Sequence, residues 1–137
     1  MLDELRRGAQ FVKGSRYLPG GGSADSTPVR DAGARAIRGV FNLVHRTRHT
    51  DLLYGYSAFG AEHVEVVVPH CDGFEVEAVI NANVARAGLR VVELPSIESA
   101  RVHGESNLHP LRDGARIINS IVKGAVREGR APAPQRA

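Results

Sequence analysis

Residues 72–96, DGFEVEAVINANVARAGLRVVELPS, decide the fold class, because their pattern predicts a helix followed directly by a strand. The apolar spacing from Phe74 to Ala87 predicts a helix that ends at Gly88, since glycine commonly ends helices. The next segment, Leu89–Leu94, predicts a strand that ends at Pro95. Helices that alternate with short strands in this way are typical of the α/β class.

The rest of the chain shows the same alternation. The further predicted elements are a helix end at 2–8, a strand at 10–15, a loop at 19–28, a helix at 28–45, a strand at 64–68 and a helix at 111–126. Thr27 is suited to cap the 28–45 helix, and Pro28 fits its first position, where a missing N–H costs nothing. By composition, the tail 129–137 is predicted to be disordered.

The two long predicted helices are amphipathic and basic. In the first, seven apolar residues fall within one arc of roughly 140°: Val29, Ala32, Ala36, Ile37, Val40, Leu43 and Val44. In the second, the apolar stripe consists of Leu111, Ala115, Ile118, Ile121, Val122 and Ala125. Basic residues lie opposite the first stripe and beside the second, so each helix presents a basic face.

Length and composition bound the class of protein. The chain has 137 residues, one cysteine (Cys71), no tryptophan and 5% aromatic residues. Apolar runs reach only about four residues, so no membrane-spanning helix is predicted. A single cysteine cannot form an internal disulfide, which favours a reducing, cytoplasmic setting. The scarcity of aromatic residues disfavours a nucleic-acid platform that stacks bases.

Charge is unevenly distributed along the chain. The net charge of +3 is the sum of +1 over residues 1–27, +4 over 28–48, −6 over 49–110 and +4 over 111–137. Two basic segments therefore flank an acidic middle. Because the basic residues share helix faces, this pattern favours a contact surface over scattered solvated charge.

Several familiar kinds of site are disfavoured by spacing. His45 and His49 are four residues apart, but no third ligand follows at a zinc spacing. The glycines at 20–22 lack the Lys-Ser/Thr of a phosphate-binding loop and predict a flexible loop instead. Ser57 and Ser106 lack the context of a nucleophilic serine.

An acidic cluster lies at the start of the helix predicted from Phe74 to Ala87. Asp72, Glu75 and Glu77 are favoured there by the helix dipole alone. The functional alternative is that one of these carboxylates acts as a general base on an acceptor hydroxyl.

Two segments combine arginine with glycine and serine. In RVHGESNL (101–108), Arg101 precedes Ser106 by five residues around Gly104, and Arg16 follows Gly14 and Ser15 at a predicted strand end. An arginine fork with backbone N–H groups at a glycine turn suits a phosphate oxyanion.

Six segments occur in a characteristic order. They are GSRYLPGG from residue 14, RDAG…R…N at 30–42, TDLLYGYSAF at 50–59, DGFEVE at 72–77, AGLRVVELPS at 87–96 and RVHGESNL at 101–108. Together they resemble glycosyltransferase family 2, in particular the dolichol- or polyprenyl-phosphate sugar synthases. The resemblance covers about residues 1–125.

The resemblance implies a GT-A-type α/β fold and inverting transfer of a sugar from a nucleotide-sugar to an acceptor, often a lipid phosphate at a membrane surface. Arg16, Arg101 and Ser106 match family positions that contact phosphate, although Asn107 stands where the family has a lysine. The family's acidic position matches Glu75 or Glu77, and this choice stays open.

One family motif has no counterpart. The family's N-terminal half ends in an Asp-x-Asp motif that holds a divalent metal, Mg or Mn, and the donor diphosphate, and no Asp-x-Asp occurs in this chain. Leaving phosphoryl groups require such a charge clamp. The resemblance therefore implies that residues 1–128 are a C-terminal half, inactive and metal-free on their own.

The expected partners follow from this interpretation. They are a nucleotide-sugar donor, a lipid-phosphate or other acceptor, and an N-terminal half or a second copy of the chain that covers exposed sheet edges and helix faces. Nucleic acid is not expected. The alternative is a non-catalytic module whose basic amphipathic helices dock on an anionic membrane or a partner subunit, which would place a cytoplasmic protein at the inner face of the membrane.

Overall fold

In the computed structural model of this chain, the described residues are 1–69, 71, 73, 75–100, 103 and 110–128. The elements are α1 (Leu2–Arg6), β1 (Phe11–Ser15), β2 (Gly22–Ser23), α2 (Pro28–His45), β3 (Ser57–Phe59), a 3-10 turn (Ala61–His63), α3 (Val64–Val67), α4 (Val76–Arg86), β4 (Val91–Pro95), β5 (Ile97–Glu98) and α5 (Pro110–Glu128). This mixture of helices and short strands confirms the predicted α/β class. The predicted tail 129–137 lies outside the described residues.

β1 is the central strand of a three-stranded sheet ordered β3-β1-β4. It runs antiparallel to β3 and parallel to β4, so that Phe11 is opposite both Phe59 and Val91. All five residues of β1 are buried. The predicted loop 19–28 contains β2, which pairs in parallel with β5 in a small second sheet.

The core consists of two apolar clusters that α4 connects. The first lies among α2, α4 and α5 and comprises Ile37, Phe41, Leu52, Ala78, Ala82, Ile117 and Ile121. The second joins Phe11 of β1 to Val67 of α3 and Val84 of α4. Because α4 contributes to both clusters, it fixes the helices relative to the sheet.

The predicted ends of the helices are confirmed where local chemistry sets them. Thr27 Oγ1 accepts a hydrogen bond from the backbone N–H of Arg30 at 3.3 Å, and Pro28 begins α2. Gly8 and Gly88 follow α1 and α4 with φ of 93° and 64°, which glycine adopts without a Cβ penalty.

The predicted strand at 64–68 is wrong. Residues 64–67 form the short helix α3, which directly follows the 3-10 turn at Ala61–His63. Its single buried residue, Val67, belongs to the apolar cluster with Phe11 and Val84. The valines of residues 64–68 favour a strand, but strand preference depends on the contacts that the surrounding structure offers. Here the burial of Val67 in a short helical turn outweighs that preference.

The two amphipathic helices bury part of each predicted stripe and leave the rest exposed. In α2, Ile37 and Phe41 are buried, whereas Val29 and Leu43 are 74% and 82% exposed. In α5, Ile121 of the predicted stripe and Ile117 outside it are buried, whereas the stripe residues Ala115, Ile118 and Val122 are exposed. The mutual packing of α2, α4 and α5 selects which apolar residues face inward.

No helix in the described part of the chain combines the length and the hydrophobicity needed to cross a membrane.

Candidate functional site

Arg16 directly follows the carboxyl end of β1 and is held there by Asp51. Its Nε and Nη2 donate to the two carboxylate oxygens of Asp51 at 2.7 and 3.0 Å, and its backbone N–H donates to Oδ2 at 3.1 Å. The side chains of Arg16 and Asp51 are 16% and 1% exposed. A two-pronged, charge-assisted pair of this kind fixes the direction of the guanidinium plane.

A second carboxylate and an aromatic ring complete the surroundings of Arg16. Nη1 donates to Glu98 Oε2 at 3.0 Å, and the guanidinium carbon lies 4.9 Å from the centre of the Tyr54 ring. Burial alone would lower the pKa of Arg16, but the hydrogen bonds and charges of Asp51 and Glu98 raise it above its ordinary value. These contacts with described residues engage three of the five guanidinium N–H donors.

Two arginines of α2 lie beside Arg16 around one aromatic ring. The guanidinium carbons of Arg16, Arg35 and Arg38 lie 5.8, 5.7 and 5.9 Å from the centre of the Tyr17 ring. Tyr17 donates from its hydroxyl to Asp31 Oδ1 at 3.0 Å, which orients the ring. The sequence places Arg35 and Arg38 on the basic face of α2 but does not show that they share the Tyr17 ring with Arg16. Their three-residue spacing, which puts both on one helix face, was the available signal.

The loop after α2 is fixed by Asn42. Asn42 Nδ2 donates to the His49 carbonyl at 2.9 Å, and its Oδ1 accepts from the His49 N–H at 3.0 Å and from Thr47 Oγ1 at 2.8 Å. Arg38 Nη1 donates to the Thr50 carbonyl at 2.8 Å. These contacts set the position from which the next residue, Asp51, reaches Arg16.

Thr50 ties this loop to both parallel strands. Its Oγ1 lies 2.6 Å from Ser15 Oγ on β1 and donates to Glu93 Oε2 on β4 at 2.6 Å, while its N–H donates to the same carboxylate at 2.9 Å. Burial alone would raise the pKa of Glu93, but hydrogen bonds from His49 and Thr50 lower it below the ordinary value. Four of the sequence segments, from 14, 30, 50 and 87, therefore meet at one place.

Glu77 and Glu75, which the sequence could not distinguish, have different surroundings. Glu77 is half-buried, and its Oε1 lies against Gly55, where an added Cβ would be 2.8 Å away. Burial raises the pKa of Glu77, and the charge of Lys13 opposes that rise. Glu75 instead faces α5, with Oε1 3.4 Å from Arg116 Nη2, and its Oε2 is buried without a hydrogen-bond partner among the described residues.

Three of the predicted site residues, Asp72, Arg101 and Ser106, lie outside the described residues. Where the structure does describe the chain, no three His, Cys, Asp or Glu side chains are grouped so that they could hold a metal ion. The described site therefore combines arginines, carboxylates and tyrosines without a set of metal ligands.

The sequence is similar to that of a known glycosyltransferase. No family model matches the chain. The chain is 31% identical to Glycosyltransferase AglJ of Haloferax volcanii over 129 residues, which cover 91% of this chain and 41% of that protein. It thus spans about two fifths of the length of the curated relative that it matches. The chain is therefore related in sequence to a glycosyltransferase.

Proposed function

We propose that this chain forms the acceptor side and part of the phosphate contacts of a family 2 glycosyltransferase with a GT-A-type fold. The reaction would be inverting transfer of a sugar from a nucleotide-sugar to an acceptor such as a polyprenyl phosphate. One observation carries the proposal: Asp51 forms an ion pair with Arg16, and Gly55, four residues later in the chain, lies against the Glu77 carboxylate. Four residues of chain span at most about 14 Å, so one short segment organises both a cation and a candidate base.

The phosphate side of the site is assigned to arginines. Contacts with described residues engage three of the five N–H donors of Arg16, and Arg35 and Arg38 add positive charge around the same tyrosine ring. Planar guanidinium groups suit phosphate oxygens, and preorganised cations stabilise a departing diphosphate or bind an acceptor phosphate. Arg101 and Ser106 join this group in the proposal through their match to the family motif.

The base is assigned to Glu77. The acceptor oxygen would attack the anomeric carbon from the side opposite the nucleotide, and the bonding electron pair would leave with the nucleoside diphosphate. Where the acceptor nucleophile carries a proton, that proton would pass to Glu77, and a raised pKa makes a carboxylate a better base. Glu75 suits this role less, because its carboxylate faces Arg116 of α5.

The donor side is assigned to other polypeptide, either an N-terminal half or a second copy of the chain. The Mg or Mn ion expected for the complete enzyme has no ligand set among the described residues.

The test is a chimaera in which residues 1–128 replace the matching portion of the Haloferax volcanii relative. Transfer of labelled sugar from UDP- and GDP-sugars to a polyprenyl phosphate is measured for the parent chimaera and its variants. We expect Glu77→Gln to lower turnover by about 100-fold or more, the usual contribution of a general base, at about pH 5.5, where the acceptor phosphate still carries a proton. Glu75→Gln and the exposed control Glu62→Gln should keep turnover within a few fold. A folded chimaera without transfer, or one in which Glu77→Gln is as active as its parent, would contradict the proposal.

A second candidate function rests on the exposed stripe of α5. Ile118 and Val122 are 40% and 46% exposed and share the helix with the exposed Arg116 and Lys123. An apolar strip beside basic side chains suits an anionic membrane surface. Co-sedimentation with vesicles containing phosphatidylglycerol that weakens with salt, and is lost in Ile118→Asp, would favour a membrane-docking module. Salt-independent or absent binding would exclude it.

A further inference from the structure

A lysine is fully buried in the central strand of the main sheet. The Lys13 side chain has no exposed surface, and its Nζ donates to the Tyr54 carbonyl at 2.8 Å. Removing an ammonium group from water is costly unless negative charge and hydrogen bonds compensate. An apolar side chain would pack in β1 without that cost, so the position of the ammonium group needs an explanation.

The residue that follows the Tyr54 carbonyl touches the candidate base. Gly55 lies against Glu77 so closely that an added Cβ would be 2.8 Å from Oε1 and 3.4 Å from Cδ. The Lys13 ammonium therefore holds one end of the Tyr54–Gly55 peptide unit, and the Glu77 carboxylate rests beside the other end. This series of contacts connects β1 to the first turn of α4.

We propose that Lys13 and Gly55 are positioning residues for Glu77: Lys13 fixes the Tyr54–Gly55 peptide and supplies the positive charge that keeps the carboxylate ionised, and Gly55 leaves the space that the carboxylate occupies. The inference rests on the proposed function only in giving Glu77 the role of base. The contacts themselves are independent of that role.

The charges around the pair support this assignment. Lys13 supplies the opposite charge that acts on Glu77. Burial lowers the pKa of Lys13, and three carboxylates oppose this effect, Glu77 most strongly, followed by Asp51 and Glu93. Asp51 is paired with Arg16, and Glu93 is bound by Thr50. The other titratable side chains on the helices packed against α4 include Arg38 and His45 on α2, Glu65 on α3 and Arg116 on α5. Of these, Arg38 donates to the Thr50 carbonyl and Arg116 pairs with Glu75.

The experiment follows the Glu77 carboxyl group directly in the 137-residue chain. Glutamate is labelled with ¹³C at Cδ, the Glu77 signal is identified by its loss in Glu77→Gln, and its chemical shift is followed against pH. We expect Lys13→Met to move the titration midpoint of Glu77 upward by about one pH unit, the size expected when a nearby opposite charge is removed. Lys13→Arg, which keeps the charge, should restore the midpoint. A folded Lys13→Met chain with an unchanged Glu77 midpoint would overturn the proposal.

A second variant keeps the test decisive if Lys13→Met does not fold. Gly55→Ala should displace the Glu77 carboxylate and move its Cδ signal, because the obstructed atom is the end of a flexible side chain. Gly39→Ala is the matched control, since an added Cβ there has no heavy atom within 4 Å. An unchanged Glu77 signal in Gly55→Ala would also overturn the proposal. Neither readout needs sugar transfer, so a moved midpoint together with an active Glu77→Gln chimaera would reject the proposed function and leave the positioning contacts standing.

Discussion

Arg16 and Asp51, 35 residues apart in the chain, form a two-pronged ion pair at the end of the central strand, with N···O distances of 2.7 and 3.0 Å. Asp51 also accepts a hydrogen bond from the Arg16 backbone N–H. The pair therefore fixes both the arginine side chain and the turn that carries it. It joins two of the sequence segments on which the glycosyltransferase resemblance depends.

Asp51→Asn should lower the free energy of unfolding by about 3 kcal/mol, because it leaves the mostly buried Arg16 without its main partner. Urea denaturation at pH 7 measures this loss. The control is Asp3→Asn, which breaks an exposed pair with Arg6 and should leave the unfolding midpoint unchanged. Equal effects of the two substitutions would show that the Arg16–Asp51 pair does not stabilise the fold.

Asn42→Ala should lower the free energy of unfolding by about 2 kcal/mol, since it removes hydrogen bonds to Thr47 and His49 in a partly buried loop. Leu43→Ala is a neighbouring control, because Leu43 is exposed and should contribute little. Thermal unfolding of the two variants compares them directly. A larger loss in Leu43→Ala would indicate that α2 is covered by a partner on its outer face.

Gly21→Ala and Gly22→Ala should differ sharply although the residues are adjacent. A Cβ at Gly21 would lie 2.5 Å from the Ser15 carbonyl oxygen, whereas one at Gly22 has no heavy atom within 4 Å. Because the obstruction is backbone, Gly21→Ala should cost about 1–3 kcal/mol, the usual range for overpacking. Chemical denaturation checks the difference, and equal midpoints would mean that the loop after Arg16 does not pack against β1 as described.

Glu93 should make the protein sensitive to acid. Its pKa in the folded state is lowered, because hydrogen bonds from His49 and Thr50 outweigh the effect of burial. A lowered pKa stabilises the fold above the unfolded-state pKa of about 4.3, and this stabilisation is lost as the pH falls through the folded-state pKa.

Between about pH 5 and about pH 3, the range in which a carboxyl group titrates, the free energy of unfolding should therefore fall less in Glu93→Gln than in the wild type. Urea denaturation at several pH values in that range measures the two slopes. Parallel slopes would show that Glu93 does not carry the acid response.

Much of the local structure is encoded locally. The start of α2 follows from Thr27, whose side chain caps the first turn, and from Pro28 at the first helical position. Gly88 ends the helical segment before β4 because it adopts a positive φ. The position of Arg16 at a strand end was equally predictable, because it depends only on where the apolar strand stops.

The partners of those residues could not be predicted in the same way. Nothing in the spacing shows that Asp51 meets Arg16 or that Lys13 binds the Tyr54 carbonyl, because these contacts depend on how β1 and the loop after α2 come together. For the same reason, the sequence left Glu75 and Glu77 equivalent, whereas the fold directs one toward Arg116 and the other toward Gly55.

The sequence by itself determined the α/β class, the ends of the main helices and the segments that resemble a glycosyltransferase, because each depends on neighbouring residues and their periodicity. Only the tertiary structure decided that residues 64–67 are helical, which faces of α2 and α5 are buried, and which charges meet at the end of β1. Those outcomes depend on packing between segments distant in the chain, where a single buried contact or ion pair outweighs local preference.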